Sequence, residues 1–87
     1  MKVQAIWKSI RDNNVVVYRI DDKCYYYNRE YDEMPYLETG QEVSASVLGT
    51  PHKVIKVNGL FPELAFPSDM EKVNCIEQRV QANQTAN

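Results

Sequence analysis

The sequence has few of the residues from which compact functional sites are built. It holds one histidine, two cysteines and three glycines in 87 residues. Cys24 and Cys75 lack the CxxC spacing of zinc sites, and a disulfide-stapled secreted protein of this size usually carries more cysteines. We therefore expect two free thiols in a cytoplasmic protein, with a single disulfide as the alternative. The glycines are isolated and no GxxxxGK[ST] occurs, which excludes a phosphate-binding loop of that type.

Catalytic and metal-binding patterns are also lacking. The single histidine, His52, follows a proline, and no Ser, Thr or Cys stands in the context of a nucleophile elbow. A pair of Cys24 and His52 is therefore the remaining enzymatic interpretation. Acidic residues are dense between 30 and 38 but follow no EF-hand order, so a solvated loop is expected there. We predict no catalytic residues, no metal site and no cofactor.

Long apolar runs are missing as well. A membrane-spanning helix needs roughly 20 apolar residues, and this chain has no such stretch. The start, MKVQAIWKSI, lacks the apolar segment of a secretory signal because Gln4 and Lys8 interrupt it. We expect a cytoplasmic protein with no membrane partner, folded as a single domain over 1–82.

Five segments have the composition of strands. Three of them are joined by short polar turns rich in Asp and Asn, which predicts a meander. A fourth alternates apolar and polar residues, and a fifth follows after a Gly-Thr-Pro turn. The predicted strands are VQAIWKSI (3–10), VVVYRI (15–20), CYYYNREY (24–31), EVSASV (42–47) and KVIKV (53–57).

The end of the chain has helical periodicity instead. Ser68 and Glu71 have the spacing of a capping box, and apolar residues recur at 70, 73, 76 and 80. This pattern predicts a helix over about 69–81. The last residues, 83–87, have nothing to bury and are expected to be disordered.

Five short strands and a terminal helix predict a mainly β fold. A five-stranded antiparallel small barrel fits this element order, either SH3-like or an abbreviated OB-like form. An open antiparallel sheet covered by the helix is the alternative.

Tyrosine is concentrated in CYYYNREY, which holds four of the six tyrosines. Alternate side chains of a strand share a face, so Tyr25, Tyr27, Arg29 and Tyr31 would lie together. In one interpretation these rings fill the core and their hydroxyls find partners at its rim. In the other, some rings stay exposed and form a binding surface.

The exposed interpretation adds aromatic and arginine residues from elsewhere in the chain. Trp, Tyr and Arg supply most of the binding energy of protein interfaces. We therefore predict a small non-catalytic protein-interaction module of accessory or inhibitor type. The predicted partner-binding residues are Trp7, Arg19, Tyr25, Tyr27, Arg29, Tyr31 and Phe61.

Single-stranded nucleic acid is the alternative partner, because its bases stack on aromatic rings while cations follow its backbone. Residues 1–29 hold six basic and three acidic residues, giving +3, while the remainder holds four and nine, giving −5. The net charge of −2 favours a protein partner over nucleic acid. Self-association through a sheet edge or the apolar loop LFPELAF (60–66) is a further expectation.

Overall fold

Five antiparallel strands form one sheet in the computed structural model, which describes residues 1–56, Pro62 and 69–77. Their order across the sheet is β4-β3-β2-β1-β5, so β4 and β5 are the edges of the sheet among the described residues. A short 3₁₀ helix, Ala45–Leu48, lies in the long loop between β3 and β4. The strands are β1 (Val3–Ser9), β2 (Val15–Ile20), β3 (Lys23–Asn28), β4 (Lys53–Lys56) and β5 (Met70–Val73).

The predicted meander of the first three strands is confirmed. β2 is the central strand, and Val16, Val17 and Tyr18 are fully buried on it, as its nearly continuous apolar run predicts. The turn into β3 is tight because Asp21 and Asp22 have φ values of 47° and 64°. A two-residue hairpin turn of type I′ needs left-handed backbone at both positions, and Asp tolerates it better than most residues.

Apolar side chains pack on both faces of the sheet. We call one the tyrosine face, and its buried strand residues are Val3, Ile6, Val16, Tyr18, Ile20 and Tyr27. The other is the tryptophan face, and its buried residues are Ala5, Trp7, Val17, Cys24 and Met70. Because successive residues of a strand point to opposite faces, each of the inner strands contributes to both clusters.

The long loop, residues 29–52, covers the tyrosine face. Leu37, Val43 and Leu48 are buried in the same cluster as the strand residues. Backbone hydrogen bonds hold the loop to the start of β1: the Val3 amide donates to the Gln41 carbonyl oxygen at 2.9 Å. The loop therefore forms one side of the core.

Gly49 marks a close approach of the loop to itself. Its φ is +62°, and a Cβ atom at this position would lie 2.5 Å from the carbonyl oxygen of Glu33. That oxygen accepts a hydrogen bond from the Thr50 amide at 3.2 Å. A residue without Cβ is therefore needed where the two ends of the loop meet.

The predicted C-terminal helix over 69–81 is wrong in its described part. Residues 70–73 form β5, which pairs with β1 from Ile6 to Ser9. β1 is buried on both faces, and its backbone groups on the side away from β2 need hydrogen-bond partners. Pairing with β5 satisfies them, which outweighs the local helical pattern. Residues 78–81 lie outside the described residues, as does the predicted tail.

The predicted strand over 42–47 is also wrong. Glu42 forms an isolated bridge with Lys2, and the chain then turns into the 3₁₀ helix. Val43 and Leu48 reach the core, whereas Val47 is exposed. The described residues still contain five strands, with β5 as the fifth in place of this segment.

A closed barrel is not seen in the part of the chain that the structure describes, because the sheet ends at β4 and β5. Neither the SH3-like nor the OB-like form is confirmed. The open antiparallel sheet given as the alternative agrees with the strand order, and the helix expected to cover it is not seen among the described residues.

Candidate interaction surface

The tyrosines of β2 and β3 form part of the core. Tyr27 is 1% exposed, and its ring meets that of Tyr18 edge to face, with centroids 5.6 Å apart and planes at 65°. The Tyr27 hydroxyl donates to the Leu48 carbonyl oxygen at 2.7 Å. This arrangement provides both the aromatic contact and the polar partner that a buried tyrosine needs.

Tyr18 binds the same loop at a second point. Its hydroxyl donates to the Pro35 carbonyl oxygen at 2.6 Å and accepts from the Leu37 amide at 3.4 Å. Burial raises the pKa of Tyr18 to about 12 and also raises the pKa of Tyr27. Both hydroxyls are therefore protonated at neutral pH and attach the long loop to the sheet.

The two arginines predicted to bind a partner are engaged within the chain. Arg19 Nη2 donates to Asp22 Oδ1 at 3.0 Å, and this hydrogen bond lowers the pKa of the Asp22 carboxyl. Arg29 Nη1 donates to the Glu77 carbonyl oxygen at 3.2 Å, while Nη2 donates to the carbonyl oxygen of Asn13. Arg29 connects separate parts of the fold, whereas Arg19 bonds within its own hairpin.

The other predicted residues lie in different environments. Trp7 is completely buried on the tryptophan face, and Tyr25 is half-buried against the tyrosine cluster. Tyr31 is 77% exposed, in a turn, because β3 ends at Asn28. Phe61 lies outside the described residues.

The structure therefore does not bring the predicted residues together on one surface. Trp7 and Tyr27 expose no area to a partner, and their side chains belong to the two core clusters. A role in partner binding stays a prediction for the remaining residues of the set.

A different surface, which the sequence analysis did not single out, lies along β4. All four residues of this strand are exposed, with Val54 at 46% and Ile55 at 38%. Among the described residues β4 pairs only with β3, and no described strand takes up the backbone amides and carbonyls on its other side. We call this surface the β4 edge, Lys53–Lys56.

The β4 edge is positively charged. Lys56 stands directly opposite Lys23 of β3, and Lys53 stands opposite Tyr26. None of the ion pairs formed between described residues includes Lys23, Lys53 or Lys56. The sequence shows the lysines of KVIK, but only the strand order reveals that they lie on an edge beside a third lysine.

A groove of about 540 Å³ lies near the other edge of the sheet, between β5 and the turns after β1 and β3. Its lining includes Lys8, Arg29, Cys75 and Glu77, but neither Cys24 nor His52. The Arg29 guanidinium there already donates to two backbone carbonyls. The predicted pair of Cys24 and His52 is therefore not part of this groove.

Two other kinds of site are absent from the described residues. No group of three or more His, Cys, Asp or Glu side chains with metal-binding geometry occurs in the described ranges. Nor does any helix there have the length and apolar character needed to cross a bilayer.

Comparison of the chain with protein-family models, curated proteins and solved structures finds no match.

Proposed function

We propose that this chain is a small non-catalytic module that binds another protein by adding a strand of that protein to the β4 edge. The observation that supports this function is the exposure of Val54 and Ile55 on a strand with an open side. A partner strand would take up the amides and carbonyls on this side of β4, and side chains on both faces would add specificity.

Lysines on an edge strand also have a purely protective explanation. Natural sheets place charged residues, especially Lys, on their edges to prevent unwanted pairing. Protection alone does not require two adjacent β-branched apolar residues between the lysines, each more than a third exposed. Because apolar residues in the middle of a charged border are typical of interfaces, we favour binding.

The proposed interface differs from the residues predicted from the sequence. It consists of the β4 edge and Lys23, with Tyr25 bordering it through its pairing with Val54. Trp7 and Tyr27 are excluded by their burial. A cytoplasmic location, in which the thiols of Cys24 and Cys75 stay reduced, remains part of the proposal.

A random peptide library displayed on phage tests this function. Peptides selected on the wild-type protein are expected to protect the amides of β4 from hydrogen exchange. Protection confined to another part of the sheet, or no enrichment over an unrelated control protein, would contradict strand addition at this edge.

Proline variants provide a sharper control. Neighbouring residues of a strand direct their amides to opposite sides, so one of Val54→Pro and Ile55→Pro removes an outward amide and keeps the pairing with β3. Circular dichroism identifies which variant keeps its fold. That variant is expected to lose the selected peptides; if it binds them like the wild type, main-chain pairing is not the mechanism.

Single-stranded nucleic acid is the second candidate, because Lys53 and Lys56 flank the half-buried rings Tyr25 and Tyr26. Phosphates would fit the lysines, but stacking needs more open ring faces than these provide. Fluorescence anisotropy of a labelled oligonucleotide decides between the partners. Nucleic-acid binding should fall steeply with added salt.

A further inference from the structure

The charge of the β4 edge indicates which protein segments fit it. Lys53 lies on the tryptophan face and Lys56 on the tyrosine face, where Lys23 is its direct neighbour. Like charges opposite each other across a strand pair are destabilising. The edge therefore carries an unfavourable concentration of positive charge that an added strand can relieve.

Acids elsewhere in the described residues do not neutralise this charge. Asp22, in the turn before Lys23, is held by Arg19 at 3.0 Å. Asp32 Oδ2 lies 4.0 Å from Nδ1 of His52, the residue just before β4. The same oxygen accepts a hydrogen bond from the Asn28 amide. The whole chain has a net charge of −2, so the positive charge of the β4 edge is opposite in sign to that of the chain as a whole.

The order of residues along β4 gives the pattern of the partner. Lysines stand at both ends, and two exposed apolar residues lie between them. A strand added beyond β4 places one residue opposite each of these four positions. We propose that the partner segment is extended and acidic, with the order acid, apolar, apolar, acid. This inference rests on the proposed function and specifies its partner.

A second copy of the chain does not match this pattern. Two copies paired through β4 would bring four lysines into one short ladder, where like charges repel. Only Glu30 and Glu33 are acids three positions apart, and Asp32 lies between them in place of an apolar residue. The charge and the pattern both favour a different protein as the partner.

Two synthetic peptides test the charge requirement directly. One carries Glu-Val-Ile-Glu at its centre and the matched control carries Lys-Val-Ile-Lys, both labelled with fluorescein. The acidic peptide is expected to bind and the basic one is not, and the peptides selected from the library should be enriched in acids at the two outer positions. If neither synthetic peptide binds and the selected peptides lack acids there, the inference is overturned.

Charge reversal locates the effect at the edge. Lys53→Glu combined with Lys56→Glu is expected to weaken the acidic peptide about tenfold or more, because two attractive cross-strand pairs become repulsive. The same variant should gain affinity for the basic peptide. Lys72→Glu, on the opposite edge strand β5, is the matched control and should leave binding unchanged.

The reversed variant should also keep its fold. Glu at position 56 would stand opposite Lys23 and replace a like-charge pair by an opposite-charge pair, so the melting temperature should not fall. Unchanged binding of the acidic peptide by this variant overturns the inference. So does tighter binding of a single-stranded oligonucleotide than of the acidic peptide, or dimerisation of the wild type that protects β4.

The proposed function can stand if this inference fails. Selected peptides that protect the β4 amides but show no preference for acids would leave strand addition in place and remove only the acidic pattern. Absence of any protection at β4 would remove both.

Discussion

Replacement of Tyr27 by phenylalanine tests whether this tyrosine stabilises the core or binds a partner. The substitution removes the hydroxyl and keeps the ring, so the edge-to-face contact with Tyr18 is retained. What is lost is the hydrogen bond of 2.7 Å to the Leu48 carbonyl oxygen, in a buried environment. The change in stability therefore measures how strongly this hydroxyl holds the long loop.

The expected loss can be estimated from that single interaction. A buried hydrogen bond contributes about 0.5–1.5 kcal/mol net, and a buried carbonyl left without its partner costs about 1–3 kcal/mol. We expect Tyr27→Phe to lower the free energy of unfolding by about 1–3 kcal/mol. In a domain of this size, each 1 kcal/mol corresponds to roughly 4–8 °C in melting temperature. Urea unfolding followed by the fluorescence of the single, buried Trp7 measures the change.

Tyr31→Phe is the matched control, because Tyr31 is 77% exposed. Its effect should stay within about 0.5 kcal/mol, as for most surface substitutions. The reasoning is refuted if Tyr27→Phe has wild-type stability, and most clearly if it then loses a selected peptide. In that case the ring would belong to a binding surface.

Three further predictions concern other parts of the fold. Gly49→Ala should unfold at lower urea than Gly40→Ala, because both glycines have positive φ but only the Cβ at 49 meets a carbonyl oxygen, at 2.5 Å. Stability should fall as the pH rises from about 10 to 12. The reason is that burial raises the pKa of the Tyr18 hydroxyl to about 12, so this group ionises more readily in the unfolded chain than in the folded one. Alkaline titration followed by circular dichroism tests this prediction. A chromogenic thiol reagent should modify exposed Cys75 in the native protein, and buried Cys24 only after denaturation; rapid reaction of both would contradict the burial.

Segments whose burial follows from their own composition were predictable. VVVYRI has apolar residues on both parities, and it is the central strand with both faces covered. The turn at Asp21 and Asp22 was equally readable, because Asp tolerates the left-handed backbone that a tight hairpin needs. In these cases local preference and tertiary environment agree.

Segments that depend on a distant partner were not predictable. Met70, Val73 and Ile76 recur at helical spacing, yet residues 70–73 pair with β1 as a strand. The pairing depends on the free side of β1, more than 60 residues earlier, which a local pattern does not contain. The same limit explains EVSASV, whose alternation is that of a strand although it bends into a 3₁₀ helix.

The candidate site was hidden for a related reason. The sequence shows that tyrosines are clustered in CYYYNREY. The Leu48 carbonyl oxygen that accepts from Tyr27, and the Pro35 carbonyl oxygen that accepts from Tyr18 on β2, both come from the long loop. Conversely, KVIK resembles any strand with charged ends until the strand order shows that it is an edge. Ring content alone therefore did not distinguish a core from a binding surface, and the proposed interface depends on the strand order.

The lysine at position 56 connects the stability of the sheet with the proposed function. An acid at this position would keep the edge charged and would also pair with Lys23 across the strands. An acid would protect the edge as lysine does, and for stability of the sheet it would serve better than lysine. Lys56 opposite Lys23 breaks the rule that like charges are not paired across strands, without benefit to the fold. Such exceptions are expected where a protein binds a partner. The positive charge of this edge is thus better explained by an acidic strand beyond β4 than by the sheet itself.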